Sequence, residues 1–182
     1  EPPPGGKFPY RPPAPPGGDG SLVALQDAID QPPLPVRLDP DTREVSRIDA
    51  ALEATAVPGD LTEFSIEAED GTRVRSWLCV PKGASETNPA PLLLWIHGGP
   101  FGSWNSWSWR WNSWTAVARG YAVLLPDPAI STGYGQGMID RGWDQLGGSP
   151  FDDIMRATNA ALERPEIDET KKAALGLSLI HI

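Results

Sequence analysis

A serine that follows a glycine at the end of an apolar run can act as a nucleophile, and Gly176-Leu177-Ser178 is such a place. In a nucleophile elbow the strand turns sharply into a helix and lifts the hydroxyl above the sheet. The pattern here is half complete, because Ile180 stands where the elbow carries a glycine. On spacing alone, Ser178 takes the nucleophile's position. A serine also needs a base and an acid that orients the base, and the chain offers two histidines, His97 and His181. An extended chain holds Ser178 and His181 about 10 Å apart on opposite faces, so His181 is not the base. His97 ends its own apolar run, in Trp95-Ile96-His97-Gly98-Gly99-Pro100. It is expected to order the paired-glycine turn rather than to move protons, and the glycines would let backbone N–H groups approach a substrate unobstructed.

These groups need a scaffold that gathers strand ends. Residues 92–96 form a continuous apolar run bounded by prolines and glycines, the pattern of a central parallel strand buried on both faces. Residues 121–125 repeat the pattern, and residues 171–175 enter a further strand that finishes at Gly176-Leu177-Ser178. Phe64, Ile66 and Ala68 alternate with polar residues, Asp70-Gly71 supplies a turn, and residues 72–80 return, which predicts a β-hairpin. Ser149 as cap, Pro150 at the first helical position and Asp152 and Asp153 near the positive end of the dipole predict a helix. Phe151, Ile154, Met155, Thr158, Ala161 and Leu162 are its expected buried face. Trp104, Trp107, Trp111 and Trp114 fall three, four and three positions apart, so they share one face if a helix begins that early. Such a stripe is expected to be core; the alternative is an aromatic platform for a sugar or a peptide side chain. Strand, helix, strand, helix, strand describes an α/β fold with a parallel, doubly wound sheet.

Residues 1–20 are dominated by proline and glycine and are expected to be a linker. Residues 21–26, 34–38 and 44–48 are short strand candidates, the last two joined by a turn at Asp39-Pro40-Asp41-Thr42. A formal net charge of −9 argues against a nucleic-acid or anionic-membrane partner. No apolar run approaches the roughly 18 residues that span a bilayer, and no basic-then-apolar leader stands at the beginning, so a cytoplasmic location is expected. The single Cys79 reads as a small core residue. No cofactor and no metal is called for.

Trp95-Ile96-His97-Gly98-Gly99-Pro100, then Ser131-Thr132-Gly133-Tyr134-Gly135, then Trp143 with Gly147-Gly148, then Ala174-Leu175-Gly176 together resemble the prolyl oligopeptidase family of serine peptidases, in particular its acylaminoacyl-peptidase and dipeptidyl-peptidase branch. The resemblance implies an α/β-hydrolase domain preceded by a β-propeller. Residues 61–176 would be the N-terminal half of the hydrolase domain, and residues 21–60 the end of the propeller and a connector. It implies a peptide substrate cleaved through an acyl-enzyme, with the hydroxyl of Tyr134 donating to the oxyanion. In the α/β-hydrolase order the acid and the histidine follow the serine, so both are expected beyond residue 182, which makes the chain a fragment and inactive by itself. Two departures stand out. Many members carry Arg-Gly where this chain has Ala129-Ile130, and the family continues Gly-Gly-Ser-x-Gly-Gly where this chain has Gly176-Leu177-Ser178-Leu179-Ile180-His181-Ile182. Residues 177–182 resemble a translated sequencing adapter and are expected to be a tail foreign to the family. An esterase or lipase of the same fold is the competing enzyme reading, and a non-catalytic carbohydrate- or peptide-binding module the competing reading of another class.

Overall fold

The computed structural model describes residues 8–9, 20–48 and 56–178. The chain divides into two compact units, Glu1–Ala56 with Asn105–Trp111, and Val57–Trp104 with Asn112–Ile182.

The first unit is an antiparallel meander of β1 (Phe8–Pro9), β2 (Leu22–Ala28), β3 (Gln31–Leu38) and β4 (Val45–Arg47), in that order across the sheet. Leu22 pairs with Leu38, and Ala24 with Val36. Ala24, Leu34 and Val36 are buried. The expected turn forms, with Asp39 Oδ1 accepting from the Asp41 and Thr42 N–H groups at 2.8 and 3.0 Å. Within the expected linker of residues 1–20, Phe8 and Pro9 pair with Asp27 and Gln26, and residues 1–7 and 10–19 lie outside the described residues. An edge strand tolerates a proline, which has no N–H to contribute to a ladder.

The tryptophan stretch is not a helix. Only α1 (Trp114–Val117) is helical there, and residues 105–111 belong to the first unit. Serine and asparagine side chains give the backbone other partners and so compete with helix formation. Ser108 Oγ accepts from Trp111 N–H at 2.9 Å and Asn112 Oδ1 from Trp114 N–H at 3.0 Å. The common face dissolves accordingly. Trp104 and Trp114 are buried, whereas Trp109 and Trp111 are 74% and 42% exposed.

The second unit holds β5 (Gly59–Glu67), β6 (Arg73–Pro81), β7 (Ala90–Ile96), β8 (Ala122–Pro126) and β9 (Ile167–Gly176) in the order β5-β6-β8-β7-β9. Strand β7 runs parallel to both neighbours, β8 and β9, as its unbroken apolar run requires. The expected hairpin is β5 and β6, and β6 joins β8 antiparallel, so the sheet is mixed. All of β8 is buried. Leu78, Leu92, Leu94 and Leu124 form the core with Ile154 and Ala161 from α3 (Ser149–Leu162).

Helix α3 departs from expectation in its details. Ser149 is its first residue rather than its cap, and Gly148 precedes it with no side-chain cap bond. The buried face is Pro150, Asp153, Ile154, Ala157, Thr158 and Ala161, while Phe151 and Met155 are exposed. One step of 100° separates these alternatives. Asp153 decides between them, because it is fully buried and must face its partner rather than cap the helix. That partner is Arg141 at the end of α2 (Gln136–Gly142), which meets the two oxygens of Asp153 at 2.5 and 2.9 Å.

Candidate active site

Because β7, β8 and β9 are parallel, their carboxyl ends share one edge of the sheet, the place where open α/β sheets bind ligands. The segments 97–102, 127–135 and 177–178 leave the strands there.

Ser178, two residues past the end of β9, has φ +73°. A left-handed backbone costs an L-residue roughly 1–2 kcal/mol, and it is the conformation that a strand needs to reverse sharply. Gly98 is its neighbour. A Cβ on Gly98 would lie 2.6 Å from the Leu177 carbonyl oxygen and 3.8 Å from Ser178 Cβ, so only glycine lets the two strand ends close up. Gly99, at φ +141°, folds the turn back until its own Cβ position lies 2.7 Å from the Phe101 nitrogen. The structure brings Ser178 against the His-Gly-Gly turn.

His97 is buried. Its Nε2 lies 2.9 Å from Ser131 Oγ, and its Nδ1 lies 3.3 Å from the Gly98 carbonyl. A carbonyl only accepts, so Nδ1 donates and, in the neutral ring, Nε2 accepts the Ser131 hydroxyl proton. Asp127 Oδ1 stands 3.9 Å from that same Nε2. Ser131, His97 and Asp127 therefore form no relay, since acid and hydroxyl meet one ring nitrogen and Ser131 is fully buried. His97 orders the turn, as expected from its position. His181 lies outside the described residues.

The residue that organises this edge is Asp127, at the end of β8. It is fully buried and accepts from Trp104 N–H at 2.8 Å, Arg75 Nη2 at 2.8 Å and the Tyr134 hydroxyl at 2.5 Å. A buried carboxylate persists only with such partners. Arg75 stacks on the rings of Trp77 and Tyr134, 4.7 and 5.5 Å from their centroids. Tyr134 packs beside Ala68, Val74 and Met138. Its one hydroxyl proton points at Asp127, so it can reach an oxyanion only by leaving that carboxylate. The sequence signal for Asp127 is an acid between two prolines just past a buried strand; Arg75 and Ser131 carry no such mark.

The departure at Ala129-Ile130 places an isoleucine where the backbone suits glycine. Ile130 is buried with φ +76°, glycine geometry on a β-branched residue. The loop is held by Ala129 N–H on Asp153 Oδ2 at 2.8 Å and Ile130 N–H on the Met138 carbonyl at 2.7 Å. Among the described residues no group of three or more His, Cys, Asp or Glu side chains could hold a metal ion, and no helix is long and apolar enough to cross a membrane.

Comparisons with known proteins extend this geometry. Residues 107–179, which include Tyr134 and Ser178, match the family model described as the prolyl oligopeptidase family. Dipeptidyl-peptidase 5 of Aspergillus fumigatus is 34% identical over 123 residues, 66% of this chain and 17% of that protein. Dipeptidyl-peptidase 5 of Trichophyton equinum is 42% identical over 100 residues, 54% of this chain and 14% of that protein. The chain thus spans less than a fifth of the curated relatives it matches. An acylaminoacyl peptidase structure from Pyrococcus horikoshii superposes with a TM-score of 0.71 at 20% identity, covering 88% of this chain and 26% of that one, a likeness that establishes the fold. With a parallel strand-end site on an α/β sheet and these matches, residues 107–179 carry a segment of the prolyl oligopeptidase family.

Proposed function

We propose that the chain is part of a serine peptidase that hydrolyses short peptides through an acyl-enzyme. The observation that carries this reading is the left-handed turn at Ser178, packed against the Gly98-Gly99 turn at the edge where ligands bind. The hydroxyl at position 178 would attack the peptide carbonyl carbon, and the carbonyl oxygen would take up the electron pair of the broken π bond. In this reading backbone N–H groups of the Gly98-Gly99 turn would donate to that oxyanion, and preorganised donors of that kind supply much of the rate in acyl transfer. The tetrahedral intermediate then expels the amine, which takes the proton that a base removed from the serine.

Tyr134 belongs to this reading as a positioning residue that holds Asp127, and through it Trp104 and the turn that follows His97. The donor role implied by the family is the alternative that a Tyr134→Phe variant separates. The base is not His97, which is committed to Ser131. We assign base and orienting acid to residues of a longer protein, so the 182-residue chain is expected to turn nothing over. The names of the relatives, dipeptidyl-peptidase and acylaminoacyl peptidase, support a peptide as substrate. The four-stranded antiparallel meander of the first unit suits the last blade of a propeller, whose blades are sheets of this kind. The test is to read the locus beyond Gly176 from independent DNA and to assay its product on a dipeptide p-nitroanilide. The reading expects Gly-x-Ser-x-Gly-Gly from residue 176, a later aspartate and histidine, and hydrolysis. Recovery of the same hexapeptide followed by a stop codon, with no hydrolysis, overturns it.

The exposure of Trp109 and Trp111 favours a second reading, a peptide- or carbohydrate-binding platform on the first unit. Trp109→Ala would then weaken binding without changing hydrolysis.

A further inference from the structure

Two indoles of the first unit stand out in solvent. Trp109 is 74% exposed and Trp111 is 42% exposed, and both belong to residues 105–111, which that unit includes. Neither ring is loose. Trp107 meets Trp109 edge to face, with centroids 5.3 Å apart and planes at 72°, and the Arg110 guanidinium lies 4.9 Å from the centre of the Trp111 ring. The backbone beneath them is anchored as well, since Trp107 N–H donates to the buried Asp27 carboxylate and Trp111 N–H to Ser108 Oγ at 2.9 Å. Fixed, exposed aromatic rings mark an interaction surface.

We propose that this tryptophan surface receives the chain's own proline-rich stretch, Pro12-Pro13-Ala14-Pro15-Pro16. The inference deepens the platform reading above and is independent of the peptidase reading. Strand β1 sets Pro9 opposite Gln26 and Phe8 opposite Asp27, the same aspartate that holds Trp107. Pro12 comes three residues later, a span of at most about 10 Å, so the chain itself delivers the stretch to the neighbourhood of the rings. The spacing of the prolines fits. A polyproline II helix has about three residues per turn, which would set Pro12 in line with Pro15 and Pro13 in line with Pro16, the pattern that aromatic-lined grooves take. Proline also has no N–H, so laying it on apolar rings strands no backbone donor. Tethering completes the choice, because a short linker gives a segment an effective concentration in roughly the millimolar range, ahead of an untethered peptide of equal affinity.

The test follows the indole N–H resonances of Trp109 and Trp111 in the 182-residue chain, assigned with Trp109→Phe and Trp111→Phe. Replacing Pro12, Pro13, Pro15 and Pro16 together by serine should shift both resonances. Acetyl-Tyr-Arg-Pro-Pro-Ala-Pro-Pro amide, which copies residues 10–16, should then return them saturably toward their original positions. The unaltered chain should need roughly tenfold more of that peptide for the same response, because its own segment competes. Trp109→Ala should abolish the response of Trp111 to the peptide. In the unaltered chain the Trp109 ring protons should also show nuclear Overhauser contacts to the Hδ protons of prolines 12–16, a readout that needs no variant; their absence overturns the proposal. Resonances that the serine variant leaves in place overturn it too. A peptide that acts on variant and unaltered chain at equal concentration overturns the intramolecular occupant and leaves a platform for an outside peptide. A response of the variant to chitotriose but not to the peptide overturns the proline occupant and leaves a sugar platform.

Discussion

Replacing Tyr134 by phenylalanine separates the two roles that its hydroxyl could play. In the structure that hydroxyl donates to Asp127 at 2.5 Å, and Asp127 is fully buried with Arg75 and Trp104 N–H as its other donors. A hydrogen bond to a charged group contributes about 1.5–3 kcal/mol. Tyr134→Phe leaves the carboxylate with two donors, so the loss should fall within that range. For a chain of this size each kcal/mol moves Tm by about 2–4 °C, which predicts a drop of roughly 3–12 °C by circular dichroism. As a positioning residue, Tyr134 should affect kcat of the longer protein far less than loss of an oxyanion donor, which costs about 10²–10³-fold. A Tm unchanged within about 1 °C, together with a kcat loss of that size, would refute the reasoning, because the hydroxyl would then be free for the oxyanion.

Other substitutions probe the same edge. Asp127→Ala should cost about 3–5 kcal/mol in urea unfolding, since it removes the buried carboxylate that accepts from Arg75, the Trp104 N–H and the Tyr134 hydroxyl; a cost under 1 kcal/mol contradicts the buried pair. Ile130→Gly should be more stable than Ile130→Ala by about 1 kcal/mol, the reverse of their order in regular structure, because φ is +76° there; the opposite order denies the strain. Gly98→Ala should lose about 1–3 kcal/mol against the Leu177 carbonyl, whereas Gly137→Ala in α2, with open space around it, should be neutral or slightly stabilising. Desolvation raises the pKa of Asp27, so its ionised form opposes folding above about pH 4, and Asp27→Asn should raise stability at pH 7 but not at pH 3. Asp70, held at about 2 chiefly by its hydrogen bond to Arg141, acts the other way: its contribution is present above about pH 4 and is lost as the pH falls through about 2.

What was legible in the sequence followed local physics. The apolar run of β7, the alternation of the β5–β6 hairpin and the glycine turn each carry their period or their φ requirement in adjacent residues. The tryptophan stripe misled, because its spacing suits a helix while Ser108 and Asn112 compete for the backbone that a helix would need. The Asp127 cluster escaped, as its donors come from Arg75, Trp104 and Tyr134, groups that only the folded sheet brings together. Asp153 reads as a cap in the sequence because its partner Arg141 lies across a loop that no periodicity reveals.

The most direct test of the central claim is the steady-state hydrolysis of a dipeptide p-nitroanilide by the protein read from the intact locus and by its Ser178→Ala variant. The account predicts measurable turnover that falls by about 10³-fold or more in the variant, with folding retained. A variant that keeps the activity would contradict it, for the nucleophile would then lie away from the turn that β9 presents to Gly98.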